Sequence, residues 1–136
     1  MDHKGTKDLL DKTNGLSKVI VDAVIEVHRE LGPGLLESAY EYALCHELAL
    51  RKLPFERQVE LPVNYKGVSL GTAYKLDIVV DKLVILELKS VTRIEPIHEA
   101  QLLSYLRLSG KWLGLLLNFN VPVMKQGIKR MVNGYI

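Results

Sequence analysis

Residues 75–90, KLDIVVDKLVILELKS, constrain the fold more than any other part of the chain. Runs of Val, Ile and Leu on either side of a short polar break near Asp81-Lys82 describe two adjacent β-strands joined by a turn. Asp77, Glu87 and Lys89 interrupt that pattern where a buried hairpin would be apolar. A buried charge is costly unless another charge or a metal compensates it. Something must therefore answer these three residues.

Alternation sharpens the demand. Successive strand side chains point to opposite faces, so Glu87 and Lys89 share one face and Leu86 and Leu88 the other. A two-residue turn at Asp81-Lys82 would pair Asp77 with Leu86 and put the two carboxylates on opposite faces. A three-residue or otherwise odd loop pairs Asp77 with Glu87 directly. The odd loop is expected, because it brings two carboxylates and an ammonium to one point.

The chain around this hairpin has 136 residues, 48% hydrophobic and 25% charged, which suits one soluble globular domain. A chain of this size buries roughly two-thirds of its unfolded surface, enough for a core without disulfides or structural metals. A formal net charge of +2 excludes a strongly basic, sequence-indifferent nucleic-acid binder but not an enzyme with a local basic cleft. The single cysteine, Cys45, is expected as a small core residue in a reducing compartment. The polar N-terminus has no following run that suits a signal peptide or membrane span, so a cytoplasmic location without membrane contact is expected.

In chain order, residues 1–15 are polar, contain Gly5 and Gly15, and read as a loose N-terminal arm; residues 16–136 read as a single domain. Leu16, Val19, Ile20, Ala23, Val24, Val27 and Leu31 form a helical stripe that Gly32-Pro33-Gly34 stops. A second helix is expected from about Leu35 to Lys52, with Leu36, Ala39, Tyr40, Ala43, Leu44 and Leu48 buried. Glu37 stands near its start, where the helix dipole favours a carboxylate. Three strands follow, Phe55–Tyr65, Val68–Val80 and Leu83–Ser90. Pro62 argues for an edge or a bulge in the first, and Gly71 for a break in the second. A helix from about Ile97 to Leu108, opened by Pro96 and ended by Gly110, leads to Trp112–Phe119, an apolar run typical of a sheet interior. The segment from Met124 reads as a short helix. This order describes an α/β fold, a mixed sheet flanked by helices.

Asp77 and Glu87 converging on one face can hold a divalent cation, since Mg²⁺ prefers carboxylate oxygens, usually one or two, and keeps several waters. A lysine two residues from a ligating glutamate can orient a water or stabilise charge developing on a phosphate. Phosphodiester hydrolysis needs such a set. The histidines His28 and His98 lie far apart with no second Cys/His pair, so zinc is not expected.

Asp77 followed by Glu87-Leu88-Lys89 resembles the core motif of the PD-(D/E)xK nuclease superfamily. The string Gly34-Leu-Leu-Glu37-Ser-Ala-Tyr40 is similar to the signature of its GxxExxY branch, and Gln101-Leu-Leu-Ser-Tyr105 to the QxxxY helix of RecB-like members. The likeness runs from about Val19 to Val132. It departs at Leu76, where proline precedes the aspartate in the full motif, and at Tyr74, which occupies the glycine position of the RecB-like pattern. The resemblance implies an αβββαβ, restriction-endonuclease-like core in which Asp77 and Glu87 bind Mg²⁺ or Mn²⁺. It implies Glu37 as an additional acidic ligand or water-holding group, Lys89 as the assistant to the attacking water, and Gln101 and Tyr105 lining the site.

Tyr40 is expected in the core with its hydroxyl near the site, joining His98 and Tyr105 as substrate contacts. Arg51, Lys52, Arg57, Lys125, Lys129 and Arg130 are candidate phosphate contacts. The bland alternatives are an ion pair across the hairpin for Asp77, Glu87 and Lys89, and a helix-end charge for Glu37. The function expected is a metal-dependent nuclease with nucleic acid, DNA first, as substrate. The alternative is a nuclease-like binding or assembly module with little turnover, acting as a homodimer or with a partner protein.

Overall fold

The structure is a computed structural model that describes residues 3–134, apart from the side chains at positions 3, 4, 72 and 73. Two helices, α1 (His3–Leu31) and α2 (Glu37–Leu50), precede three strands, β1 (Phe55–Tyr65), β2 (Val68–Val80) and β3 (Val84–Lys89). Helix α3 (Pro96–Ser109) leads to β4 (Leu113–Asn118), a 3₁₀ turn (Met124–Gly127) and β5 (Ile128–Val132). The strands form one sheet in the order β1-β2-β3-β4-β5. All neighbours are antiparallel except β3 and β4, which run parallel. A parallel pair needs a crossover, and α3 supplies it. This is the mixed α/β arrangement expected, consistent with a restriction-endonuclease-like fold.

The sheet separates two cores. Ile20, Ala23, Val24, Tyr40, Leu44 and Leu48 of the first two helices pack with Leu86, Leu88, Leu115 and Leu117. Leu102, Tyr105 and Leu106 of α3 pack with Leu76, Ile85 and Leu116. Every residue of β4 is buried, because it lies inside the sheet between both layers.

Helix α1 corrects the reading of residues 1–15 as a loose arm: the helix already includes residues 3–15, while residues 1 and 2 lie outside the described region. Gly15 weakens a helix by about 1 kcal/mol, yet tertiary contacts outweigh that local preference. Thr13 and Ser17 are buried, Asn14 accepts a hydrogen bond from Arg130, and Lys12 lies 3.6 Å from Asp81. The buried stripe therefore starts earlier than hydrophobicity indicates, and Val19 and Leu31 at its margins are exposed. Leu36 and Ala39 are also exposed, because α2 begins only at Glu37 and buries the face carrying Tyr40, Glu41, Leu44, Cys45 and Leu48.

The segment from Met124 is a second correction. It makes only a 3₁₀ turn and then pairs with β4 as β5. Gly127 permits the close return, since a Cβ there would lie 2.0 Å from the Asn118 carbonyl oxygen. On β1, Pro62 lies on the sheet's edge strand beside a register irregularity, and Gly71 takes φ +67° within the opposing stretch. Both breaks follow from a missing donor and a missing side chain.

Candidate functional site

Ile78, Val79 and Val80 pair with Leu86, Ile85 and Val84, so Asp81, Lys82 and Leu83 form a three-residue loop. Asp81 and Lys82 take φ +50° and +58°, and the Leu83 N–H donates to the Val80 carbonyl at 2.9 Å. The odd loop is present. Its register carries Asp77 to the position opposite Glu87.

There the regular ladder stops and side chains take its place. The Asp77 N–H donates to Glu87 Oε2 at 2.8 Å, and the Leu88 N–H donates to Asp77 Oδ2 at 2.8 Å. Each carboxylate thus caps the backbone of the other strand. Glu87 is only 6% exposed, whereas Asp77 is half-buried. Burial, then the neighbouring Asp77 charge, pushes the Glu87 carboxyl up to about 9. The Asp77 amide and the Lys89 ammonium oppose that rise.

The strands also change faces at this point. Ile78 and Val80 pack with the α1–α2 core, but Leu76 packs with the α3 core although all three positions have the same parity. Phe55 and Val59 on β1 show the same switch. Between them, Gln58 takes φ +52° and the Gln58–Asp77 rung is missing from the ladder. A left-handed glutamine costs roughly 1–2 kcal/mol, so other contacts must hold it there.

Lys89 follows Glu87 on the same face, half-buried at the end of β3. Tyr105 reaches this face from α3. Its pKa is raised by burial and then by Glu87, Tyr74 and Asp77, while the Gln101 side chain opposes the rise. The Tyr74 ring lies 5.7 Å from that of Tyr105. Gln101 is exposed one turn before Tyr105, so the helix presents both to the same region.

The other expected residues take more varied places. Glu37 is exposed in the first turn of α2. Among the described residues no three His, Cys, Asp or Glu side chains gather as a metal-ligating group, so Glu37 does not join Asp77 and Glu87 in one cluster. Tyr40 corrects its expected role as a substrate contact: it is wholly buried and stacks on Phe119 with ring centroids 4.4 Å apart. Its hydroxyl donates to the Gly32 carbonyl and accepts from the Leu35 N–H, leaving it as the lock of the loop before α2. Gly34, at φ +94°, makes the turn that this lock holds.

His98 completes the capping box of α3. Its Nδ1 accepts from the Glu95 N–H at 2.9 Å, so the neutral ring carries its proton on Nε2. Several basic side chains expected at phosphates have structural partners instead. Arg51 pairs with Glu47, Arg57 with Glu41, and Lys129 with Glu99, while Arg130 bonds Asn14 and lies over Trp112.

Three supporting residues escaped the sequence reading. Ser90 Oγ donates to the Leu35 carbonyl at 2.6 Å, tying the α2 entry loop to the end of β3. Asn118 accepts from the Val91 N–H and donates to the Val91 carbonyl, fixing the chain beyond Lys89. Glu41 is a buried carboxylate among the apolar positions of α2. That misplaced charge was a visible signal; the Ser90 and Asn118 bonds join segments whose contact sequence spacing does not reveal.

A cation fits the donors present. Two carboxylates brought together with one nearly buried repel each other when ionised, and a hard divalent cation bound by both would relieve that repulsion. Helices on both faces of a mixed sheet, with this carboxylate pair at its splayed centre, place the molecule among restriction-endonuclease-like α/β proteins. The family model of the PD-(D/E)XK nuclease superfamily matches residues 14–131, and the chain belongs to that superfamily. Searches among curated proteins and among solved structures find no match. Membership suggests nuclease activity and implies a nucleic-acid substrate.

Proposed function

We propose that the protein is a Mg²⁺- or Mn²⁺-dependent nuclease of the GxxExxY branch, with DNA as its substrate. The observation that carries this reading is the Asp77–Glu87 interlock, which holds two carboxylates on the side of the sheet occupied by Lys89. Asp77 and Glu87 would hold the cation. When bound, it supplies a Lewis acid for the phosphate and lowers the pKa of a water. Lys89 orients the attacking water and balances negative charge as it develops on the phosphate. Glu37, at the start of a helix tethered to Ser90 through Leu35, serves as a water-holding acid. Gln101 and Tyr105 line the substrate side from α3, and His98 offers its Nε2–H there.

The test is cleavage of a panel of single- and double-stranded DNA and RNA with Mg²⁺, Mn²⁺ or EDTA. Cleavage of DNA is expected with either metal and none with EDTA. Asp77→Ala and Lys89→Ala are each expected to lower the rate at least about a hundredfold while retaining the parent's circular dichroism. Parent-like cutting by either variant contradicts the mechanism.

One observation favours a second reading, a nuclease-like binding module. The two carboxyls are already bonded to backbone amides, and among the described residues no third acidic ligand joins them in a cluster. Absence of both Mn²⁺ binding and cleavage would favour that module.

A further inference from the structure

Glu41 is 7% exposed and carries no role in the hydrolysis just described. Arg57 Nε donates to its Oε2 at 2.6 Å, and Gln58 Nε2 lies 2.9 and 3.1 Å from its two oxygens. Adjacent residues of a regular strand point to opposite faces, yet Arg57 and Gln58 both reach this one carboxylate. The left-handed backbone at Gln58, φ +52°, makes the double contact possible.

Gln58 is the position across from Asp77. Arg57 pairs with Ile78 and Val59 with Leu76, while the rung between them is absent. At that same step both strands change faces, and Asp77 turns its N–H and carboxylate toward β3. A conformation that glutamine rarely adopts, gripped by a buried carboxylate and set against the central acid, has a specific consequence. We propose that Gln58, held in its left-handed conformation by Glu41, is a positioning residue that holds the β1–β2 splay and thereby aims Asp77 at Glu87 and Leu88. Its consequence for metal binding rests on the reading of Asp77 and Glu87 as the metal-holding pair.

The amides of Asp77 and Leu88 report the aim without any metal, because both donate to the interlocked carboxylates. Hydrogen exchange of the full chain by NMR, in EDTA, compares the parent with Gln58→Val, Gln58→Ala and Gln58→Gly. Valine resists positive φ, alanine removes the grip, and glycine removes the grip but tolerates the backbone. In the valine and alanine variants, exchange at Asp77 and Leu88 is expected to rise about tenfold or more, with Ile85 and Leu115 unchanged. Glycine is expected to restore much of the protection.

Calorimetric titration with MnCl₂ provides the second measurement. The dissociation constant is expected to rise about 10–100-fold in the valine variant, the range for residues that orient metal ligands. Parent-like protection of both amides in the valine variant overturns the proposal, as does equal loss of protection at Ile85 and Leu115. If valine prevents folding, the alanine variant decides by the same two criteria. Failure of the parent to bind Mn²⁺ defeats the metal-site reading, while the amide exchange still decides the role of Gln58.

Discussion

Glu87 accounts for the strongest pH dependence expected at the residue scale. Its carboxyl is raised to about 9 from an ordinary 4.5, so the folded chain holds a proton that the unfolded chain releases. The associated stability is fully present below the unfolded pKa and is lost as pH rises through the folded one. Between about pH 5 and 9, each unit removes on the order of 1 kcal/mol. Thermal melts of metal-free protein across that range should show stability falling with pH, and Glu87→Gln should flatten the decline. Matching slopes in parent and variant would contradict this account. A cation held by Asp77 and Glu87, as proposed, would displace the same proton. Mn²⁺ titrations at pH 7 in buffers of different ionisation enthalpy should therefore show about one proton released, with affinity rising toward pH 9.

Two glycines separate local preference from packing at the element scale. Gly15 lies exposed within α1, and an added Cβ would meet nothing within 4 Å. Gly15→Ala should stabilise the protein by about 1 kcal/mol, read as a higher urea midpoint with an unchanged m-value. Gly127 is buried where the 3₁₀ turn meets β5, and its added Cβ would press on the Asn118 backbone carbonyl. Gly127→Ala should cost about 3 kcal/mol. Urea unfolding checks both signs: loss at position 15 or tolerance at position 127 would contradict these local accounts.

The two cores share the centre of one sheet, which makes a joint response the expectation for the whole molecule. Leu44 lies wholly buried against one face and Leu106 against the other. Leu44→Ala and Leu106→Ala should each cost roughly 2–5 kcal/mol and shift one common unfolding transition. Scanning calorimetry tests this, since separate transitions would show that the two faces unfold independently. The same arrangement explains how α2 and α3 can both influence Asp77: Glu41 approaches through β1, whereas Tyr105 lies on the opposite side near Glu87.

Much of this architecture was legible in residue order because strand alternation is local. The charged hairpin demanded an odd loop, Pro96 and Gly110 marked the ends of α3, and the apolar run at Leu113–Asn118 required a sheet interior. The helical state of residues 3–15 and the final β5 strand were less visible, since distant packing decides both. At the site, sequence alone determined the charges at Asp77, Glu87 and Lys89, and their periodicity called for convergence. Tertiary structure alone decided that the two acids interlock through backbone amides, that Tyr40 locks a loop, and that Gln58 flips against Glu41. The hairpin thus began as an alternation with three misplaced charges, but long-range hydrogen bonds and burial set their geometry and proton affinity. Those forces depend on which groups meet in space, a relation that local periodicity does not specify.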